Sequence, residues 1–354
     1  MRIAFFGSSL VSSYWNGAAT YYRGLVRALH GRGHSVTFFE PDAFARQQHR
    51  DFDDPDWAEV VVYEPPRWRD ALRLAAGADV VIKASGVGAC DEELEAGVLK
   101  VGAPTTVFWD VDAPATLARL EADPGDRLCE LVPEYDLVLT YGGGEPVVER
   151  YRELGAIDCV PVYNALDPET HHPVAREERF ACDLAFLGNR LADRETRVDE
   201  FFFRAAEAAP ELRFILGGSG WDDRFLPANV RSLGHVSTNE HNALNSSPLA
   251  VLNVTRADMA ANGWSPATRV FEAVGAGACL ITDAWEGIEL FLEPEAEVLL
   301  AEDGESVAEL ARSLSPEQAR SIGEAARERL LTEHTYAHRA EQVEAVLGVR
   351  VEVA

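Results

Sequence analysis

Short runs of β-branched and aromatic residues alternate along the chain with longer stretches whose apolar residues recur at helical spacing. Arg2–Phe6 predicts a strand, Gly17–His30 a helix and Ser35–Phe39 the next strand. Asp79–Ala84, Thr105–Trp109 and Asp136–Thr140 predict further strands, each followed by a helical pattern. The second half repeats the alternation. Strands are expected at Asp183–Leu187, Arg213–Leu216, Leu249–Asn253, Cys279–Thr282 and Val298–Leu300, with another ending at Gly234-His235-Val236. Such alternation builds parallel sheets with crossover helices. Between Val162 and Pro173 the turn residues Asn164, Asp167, Pro168 and Pro173 interrupt the periodicity. The fold class expected is therefore α/β, two Rossmann-like domains facing across a cleft, because open parallel sheets bind ligands beyond the carboxyl ends of their strands. The expected domains are residues 1–163 and 164–333, with a C-terminal segment 334–354. Pro316–Leu347 reads as helical throughout.

The chain has 354 residues, enough for two cores at 47% hydrophobic content. Its net charge of −27 excludes a large nucleic-acid footprint, which needs clustered Lys and Arg. Lysine occurs only at Lys83 and Lys100. Five cysteines, at 90, 129, 159, 182 and 279, are scattered and form no Cys-x-x-Cys pair. They read as reduced, mostly buried thiols. No apolar run is long enough to span a bilayer, so no transmembrane segment is expected. Ile3–Val11, broken by Gly7, Ser8 and Ser9, reads as a first strand and not a signal peptide. These features together place the protein in the cytoplasm.

The segment richest in chemistry is Leu252–Glu289. Asn253 ends a strand and leads into a polar loop carrying Arg256. Ser265 is a candidate N-cap and Pro266 a candidate first residue of a helix, whose N-terminus suits a diphosphate. Arg269 and Glu272 lie one turn apart on that helix. Arg269 is suited to neutralise phosphate, and Glu272 to accept from two ribose hydroxyls. An ion pair on a solvated helix face is the alternative reading of those two residues. In the first half, Trp109-Asp110-Val111-Asp112 ends a strand and opens a loop. Two carboxylates two residues apart at a strand's carboxyl end suit a general base, so Asp110 or Asp112 is the candidate. The alternative is that Asp112 caps the next helix. His334 and His338 lack an evident third ligand, so no metal is expected.

The pattern Leu252-Asn253-x-x-Arg256, a loop, Arg269-x-Phe271-Glu272-Ala273, small residues and a strand resembles the donor-binding region of GT-B glycosyltransferases. It is most similar to the CgeB-like (spore-maturation-protein-like) group. The resemblance implies a glycosyltransferase that moves a hexosyl unit from a nucleotide-diphosphate sugar to a hydroxyl acceptor, without metal or other cofactor. It implies that Glu272, matching the second glutamate of a Glu-x7-Glu pair found in related enzymes, binds ribose, while the first glutamate of that pair falls on Trp264 here. It further implies diphosphate contacts in and after Gly188-Asn189, from Arg190 and Arg194, and nucleobase contacts near His235 and Val236. Gly7, Ser8, Asn16 and Gly17 look like the acceptor-side loop and helix start of the N-terminal domain. The C-terminal segment is expected to cross back to that domain. Two other functions stay open on the sequence: a non-catalytic nucleotide-sugar or glycan-binding protein, and a nucleotide-sugar epimerase of the same fold.

Overall fold

A computed structural model describes residues 1–348; residues 349–354, the end of the expected 334–354 segment, lie outside the described residues. The chain forms two compact units, Met1–Asn164 with the segment from Tyr336 on, and Ala165–Thr335.

The first unit carries β1 (Arg2–Phe6), β2 (Ser35–Pro41), β3 (Glu59–Tyr63), β4 (Val80–Ala84), β5 (Thr105–Asp110), β6 (Leu137–Thr140) and β7 (Cys159–Pro161). They pair in the order β3-β2-β1-β4-β5-β6-β7, all parallel. Strands at β3 and β7 had no expectation from the sequence. Both are edge strands, and β7 is only three residues long, too short for a periodic signal. Helices cover both faces of a parallel sheet, so alternate residues of one strand enter different cores. Ala4, Phe6, Val81, Phe108 and Val138 share one cluster. Phe5 points the other way, stacking on Phe38 at 5.1 Å and meeting Trp109 at 5.8 Å.

The second unit carries β8 (Leu184–Leu187), β9 (Phe214–Gly217), β10 (Val230–Gly234), β11 (Ala250–Asn253), β12 (Leu280–Asp283) and β13 (Leu299–Ala301). Their order is β10-β9-β8-β11-β12-β13, again all parallel. Leu184, Phe186, Phe214 and Leu216 enter one core, and Ala185, Leu187 and Ile215 the other. Both sheets are thus doubly wound. The strand order reverses between β1 and β4 in the first unit, and between β8 and β11 in the second. Ligands of such sheets lie outside the carboxyl ends of the strands at that reversal.

The expected unbroken helix Pro316–Leu347 is instead two helices, Pro316–Glu333 and Tyr336–Val346. His334 leaves helical geometry at φ −131 and ψ 43. Its carbonyl accepts from the Leu166 N–H at 2.8 Å, and Leu166 bridges to Thr335. The break falls where the chain leaves the second unit. The last helix packs on the helix Ala19–Gly31 of the first unit. There Gly24 lets the Tyr336 ring approach, since a Cβ on Gly24 would lie 2.2 Å from it. Glu344 accepts from Arg32 at 2.6 Å and pairs with His34 at 2.7 Å, and Arg339 Nε donates to the Tyr163 carbonyl at 3.1 Å.

Candidate functional site

In the second unit, the loops after β8 and β11 flank the strand-order reversal. Gly188 opens the first; a Cβ there would come within 2.7 Å of Arg194 Nη2, so glycine gives that guanidinium its room. Arg194 Nη2 donates to the Asn189 carbonyl at 2.7 Å, while its Nε is buried without a partner. Asn189 Oδ1 accepts from the Ser219 N–H at 2.9 Å and ties this loop to the turn after β9. Arg190 is already neutralised, by Glu195 at 2.5 Å and Asp223 at 2.7 Å.

In the second loop, Arg256 is bound to Asp193 at 2.5 Å. Asn253 is buried and donates to Thr282 Oγ1 at 2.9 Å. Asp283, fully buried at the end of β12, accepts from the Thr255 N–H at 2.9 Å and from Arg197 at 2.5 Å. Asn253, Asp283 and Arg197 therefore fix the loop.

The helix Thr268–Gly275 follows. Ser265 and Pro266 do not begin it as expected: its N-cap is Ala267, without a side-chain cap. Ser265 is instead buried with its Oγ unpartnered. Arg269 Nη1 lies 3.1 Å from Glu272 Oε2, yet Nε and Nη1 have no aligned hydrogen-bond partner. This pair is mostly enclosed and not on a solvated face, with side-chain exposures of 16% and 9%.

The electrostatics of these groups are linked. Burial, then the field of Arg269, pushes the Arg194 guanidinium down to about 10; Asp193 opposes the shift and Arg256 adds to it. Burial opposes ionisation of Glu272, but Arg269, with His171 and His241, outweighs it and lowers the carboxyl below its usual range. Burial and Arg269 in turn lower His241 to about 4, and burial also lowers His171. Like charges held together, with unpartnered N–H groups among them, are an arrangement that can attract an anion. Sequence reasoning missed His171, His241, Asp193 and Asp283, because their roles arise from tertiary neighbours and no local motif marks them. His235 is exposed, and Val236 is buried beside it.

In the first unit, the loop after β1 is built from inside. Ser8 Oγ donates to Asn16 Oδ1 at 2.9 Å, and Asn16 Nδ2 donates to the carbonyls of Ser9 and Ser12. Glu40, at the end of β2 and fully buried, accepts from Ser9 Oγ and the Leu10 N–H. A Cβ on Gly7 would strike Phe38 at 2.4 Å, so Gly7 serves packing. Gly17 precedes the helix Ala19–Gly31 and has nothing near its missing Cβ. At the end of β5 the two aspartates differ. Asp110 is fully buried and accepts from Ser85 Oγ at 2.7 Å, the Asp112 N–H at 3.0 Å, Thr116 Oγ1 at 3.0 Å and Tyr151 OH at 2.5 Å. That saturated setting suits a support residue and not a base. Asp112 is partly exposed at the N-cap position of the helix Ala113–Ala122, where its side chain makes no capping bond. His334 and His338 fall in different elements, and no cluster of three or more His, Cys, Asp or Glu suited to a metal occurs among the described residues.

Residues 194–345 match the sequence family described as glycosyl transferase-like. None of the curated proteins matches the chain significantly. Several solved structures share its fold over nearly its whole length. A sucrose-phosphate synthase from Thermosynechococcus elongatus is 14% identical, with 98% of each chain covered and a TM-score of 0.72. The Anabaena protein HepE, in complex with UDP and glucose, is 14% identical, covers 99% of this chain and 100% of its own, and has a TM-score of 0.70. An E. coli trehalose-6-phosphate protein bound with UDP-2-fluoro glucose is 11% identical, with coverages of 99% and 100% and a TM-score of 0.68.

Proposed function

We propose that this chain, which has the GT-B fold of glycosyltransferases, transfers a sugar from a nucleoside-diphosphate sugar to a hydroxyl acceptor without a metal ion. One observation carries the reading of the site: Arg194, whose buried Nε has no partner, lies within the field of Arg269, and Arg269 in turn pairs with a buried Glu272 whose carboxyl it holds below its usual range. Two guanidinium forks and a helix start suit a diphosphate, and a buried carboxylate one turn along suits vicinal ribose hydroxyls. Structural neighbours bound to UDP or UDP-sugars support the donor class.

In the reaction, the acceptor oxygen forms a bond to the anomeric carbon as its proton passes to a base. The bond from that carbon to the diphosphate oxygen breaks, and both electrons leave with the nucleoside diphosphate. Arg194 and Arg269 stabilise the charge that develops there. Asp112 serves as the base, with Asp110 holding its loop. The segment Leu252-Asn253-x-x-Arg256 with Arg269-x-Phe271-Glu272-Ala273 favours the CgeB-like group within this fold. Five free cysteines favour a reducing compartment, hence the cytoplasm.

Calorimetric titration with UDP and other nucleoside diphosphates tests the reading. One of them should bind, and Glu272→Ala should weaken it by roughly 2–4 kcal/mol in a folded protein. Release of free diphosphate from the matching nucleotide sugar, on addition of an acceptor, should follow. Binding that the Glu272 variant leaves unchanged would remove this site from the donor's path.

A further inference from the structure

A chain of net charge −27 offers each of its cations a surplus of carboxylates. One groove in the first unit departs from that balance. It lies between the helices Trp68–Leu74 and Asp91–Val98, reaches Arg127 at the start of the helix Arg127–Leu131, and encloses about 610 Å³. Arg69, Arg73, Lys100 and Arg127 line it, against one carboxylate, Glu93. All four cations are exposed. Arg73 is bound to Asp70, which it shares with Arg67. Among the described residues, Arg69, Lys100 and Arg127 form no ion pair. Lysine occurs twice in the chain; Lys83 is fully buried and bound to Asp91 at 2.8 Å, so Lys100 is the exposed one.

The groove has a built floor. Ala71, Ala75, Leu94 and Val98 enter the core of the first unit, and Trp68, Leu72 and Val101 pack against it. The two helices close on each other at Gly97, where a Cβ would stand 2.4 Å from Leu72 Cδ1 and 3.3 Å from Trp68 Cζ3. Glycine at 97 thus lets the indole and Leu72 settle onto the second helix. The Arg69 guanidinium lies over the Trp68 ring, 4.2 Å from its centroid, in cation–π contact. Arg69 and Arg73 follow one another by one helical turn and share a face. Like charges gathered in one concavity repel, and its apolar walls focus their field outward.

We propose that this groove binds a phosphate-bearing ligand, separately from the reaction site. Arg69, Lys100 and Arg127 take the phosphate oxygens, and Trp68 and Leu72 the apolar part beside them. A guanidinium offers a planar fork that matches phosphate oxygens, and an ammonium a compact charge. No residue assigned above to donor, acceptor or base lines the groove. A soluble phosphorylated compound and a lipid headgroup present this same chemistry.

The test follows the Trp68 indole N–H by NMR of nitrogen-labelled protein; among the signals of the seven tryptophans it is the one that Trp68→Phe removes. Inorganic pyrophosphate is added at ionic strength held constant with potassium chloride. The Trp68 signal should shift saturably, and the double variant Arg69→Gln with Lys100→Gln should bind about ten-fold more weakly or worse. Arg269→Gln, in the second unit, should leave the Trp68 titration unchanged, which separates this groove from the donor site. In a second arm, wild type and double variant are sedimented with phosphatidylcholine vesicles that contain phosphatidylglycerol. Sedimentation that the double variant loses assigns the phosphate to a lipid headgroup. A saturable shift without sedimentation assigns it to a soluble ligand. If neither response occurs, or neither depends on Arg69 and Lys100, the inference is overturned.

Discussion

Asp110 and Asp112 lie two residues apart yet have opposite chemical prospects. The first accepts four hydrogen bonds inside the first unit, from residues that include Ser85, Thr116 and Tyr151. An asparagine there replaces an acceptor oxygen with an NH2 that faces donors, so Asp110→Asn should cost about 1–3 kcal/mol of stability in urea denaturation. Asp112→Asn should leave stability unchanged and lower turnover by about 10²–10⁴, with nucleotide affinity intact, as loss of a general base does. Normal turnover in the Asp112 variant would place the base elsewhere. The sequence shows both carboxylates at a strand's carboxyl end but cannot separate them, because the donors to Asp110 come from distant segments. By contrast, the Arg269–Glu272 pair is legible, since helical spacing alone puts the two on one face. Its burial is not, and burial makes it more than a surface ion pair. The same cluster has a pH signature. His241 sits at about 4 in the folded chain because of burial and Arg269, against about 6.5 when unfolded. The unfolded chain therefore takes up a proton below about pH 6.5 that the folded chain refuses until about pH 4. The His241 contribution is fully present above pH 6.5 and is lost as pH falls through that window, by up to about 1.4 kcal/mol per pH unit. Urea midpoints at pH 7 and pH 5 should differ less in His241→Asn than in the wild type.

At the scale of elements, the strands that the sequence announces most clearly are those buried on both faces, such as β1, β5, β8 and β11, where β-branched and aromatic residues run together. The ones it leaves silent, β3 and β7, are the edges of the first sheet, although the edge strands β10 and β13 of the second sheet are legible. The C-terminal helices teach a related lesson. Pro316–Glu333 begins at Ser315, whose side chain accepts from the Gln318 N–H in a capping box. No residue between Glu333 and Tyr336 is a helix breaker, so the interruption there follows from tertiary pairing with Leu166. The helix Tyr336–Val346 then joins the first unit through a close packing site at Gly24 besides the bonds of Glu344 and Arg339. Gly24→Ala would set a Cβ against the Tyr336 ring, where it has no room. The variant should lose about 1–3 kcal/mol, the usual result of overpacking a close contact. Limited proteolysis should show cleavage between Glu333 and Tyr336 appearing in the variant before the wild type. Unchanged stability and unchanged cleavage would mean that the last helix is held chiefly by Arg32, His34 and Arg339.

For the whole molecule the dominant physical fact is charge: 59 acidic against 32 basic residues, for a net −27. Against that background, the proposed anion site at Arg194 and Arg269, with Arg256 nearby, is a local inversion of sign, balanced by Asp193 and Glu272. The proposed mechanism asks Arg194 and Arg269 to do what a divalent cation does in some transferases, which is to take up the charge of the departing diphosphate. Activity should therefore survive EDTA. The experiment needs one control that follows from the charge itself. A strongly acidic chain repels itself, and any cation relieves that repulsion, divalent ions more effectively than monovalent ones. Magnesium should thus raise the melting temperature without taking part in the reaction, and chelation alone should lower it slightly. The two effects separate when EDTA is added at constant ionic strength set with potassium chloride. Under those conditions the folded fraction stays constant and turnover should remain within about two-fold of the untreated enzyme, well short of the 10²-fold or greater loss that follows removal of a true transition-state charge stabiliser. Inactivation at constant fold, restored by micromolar manganese or magnesium, would show that the arginines are not sufficient and would assign the charge stabilisation to a bound cation.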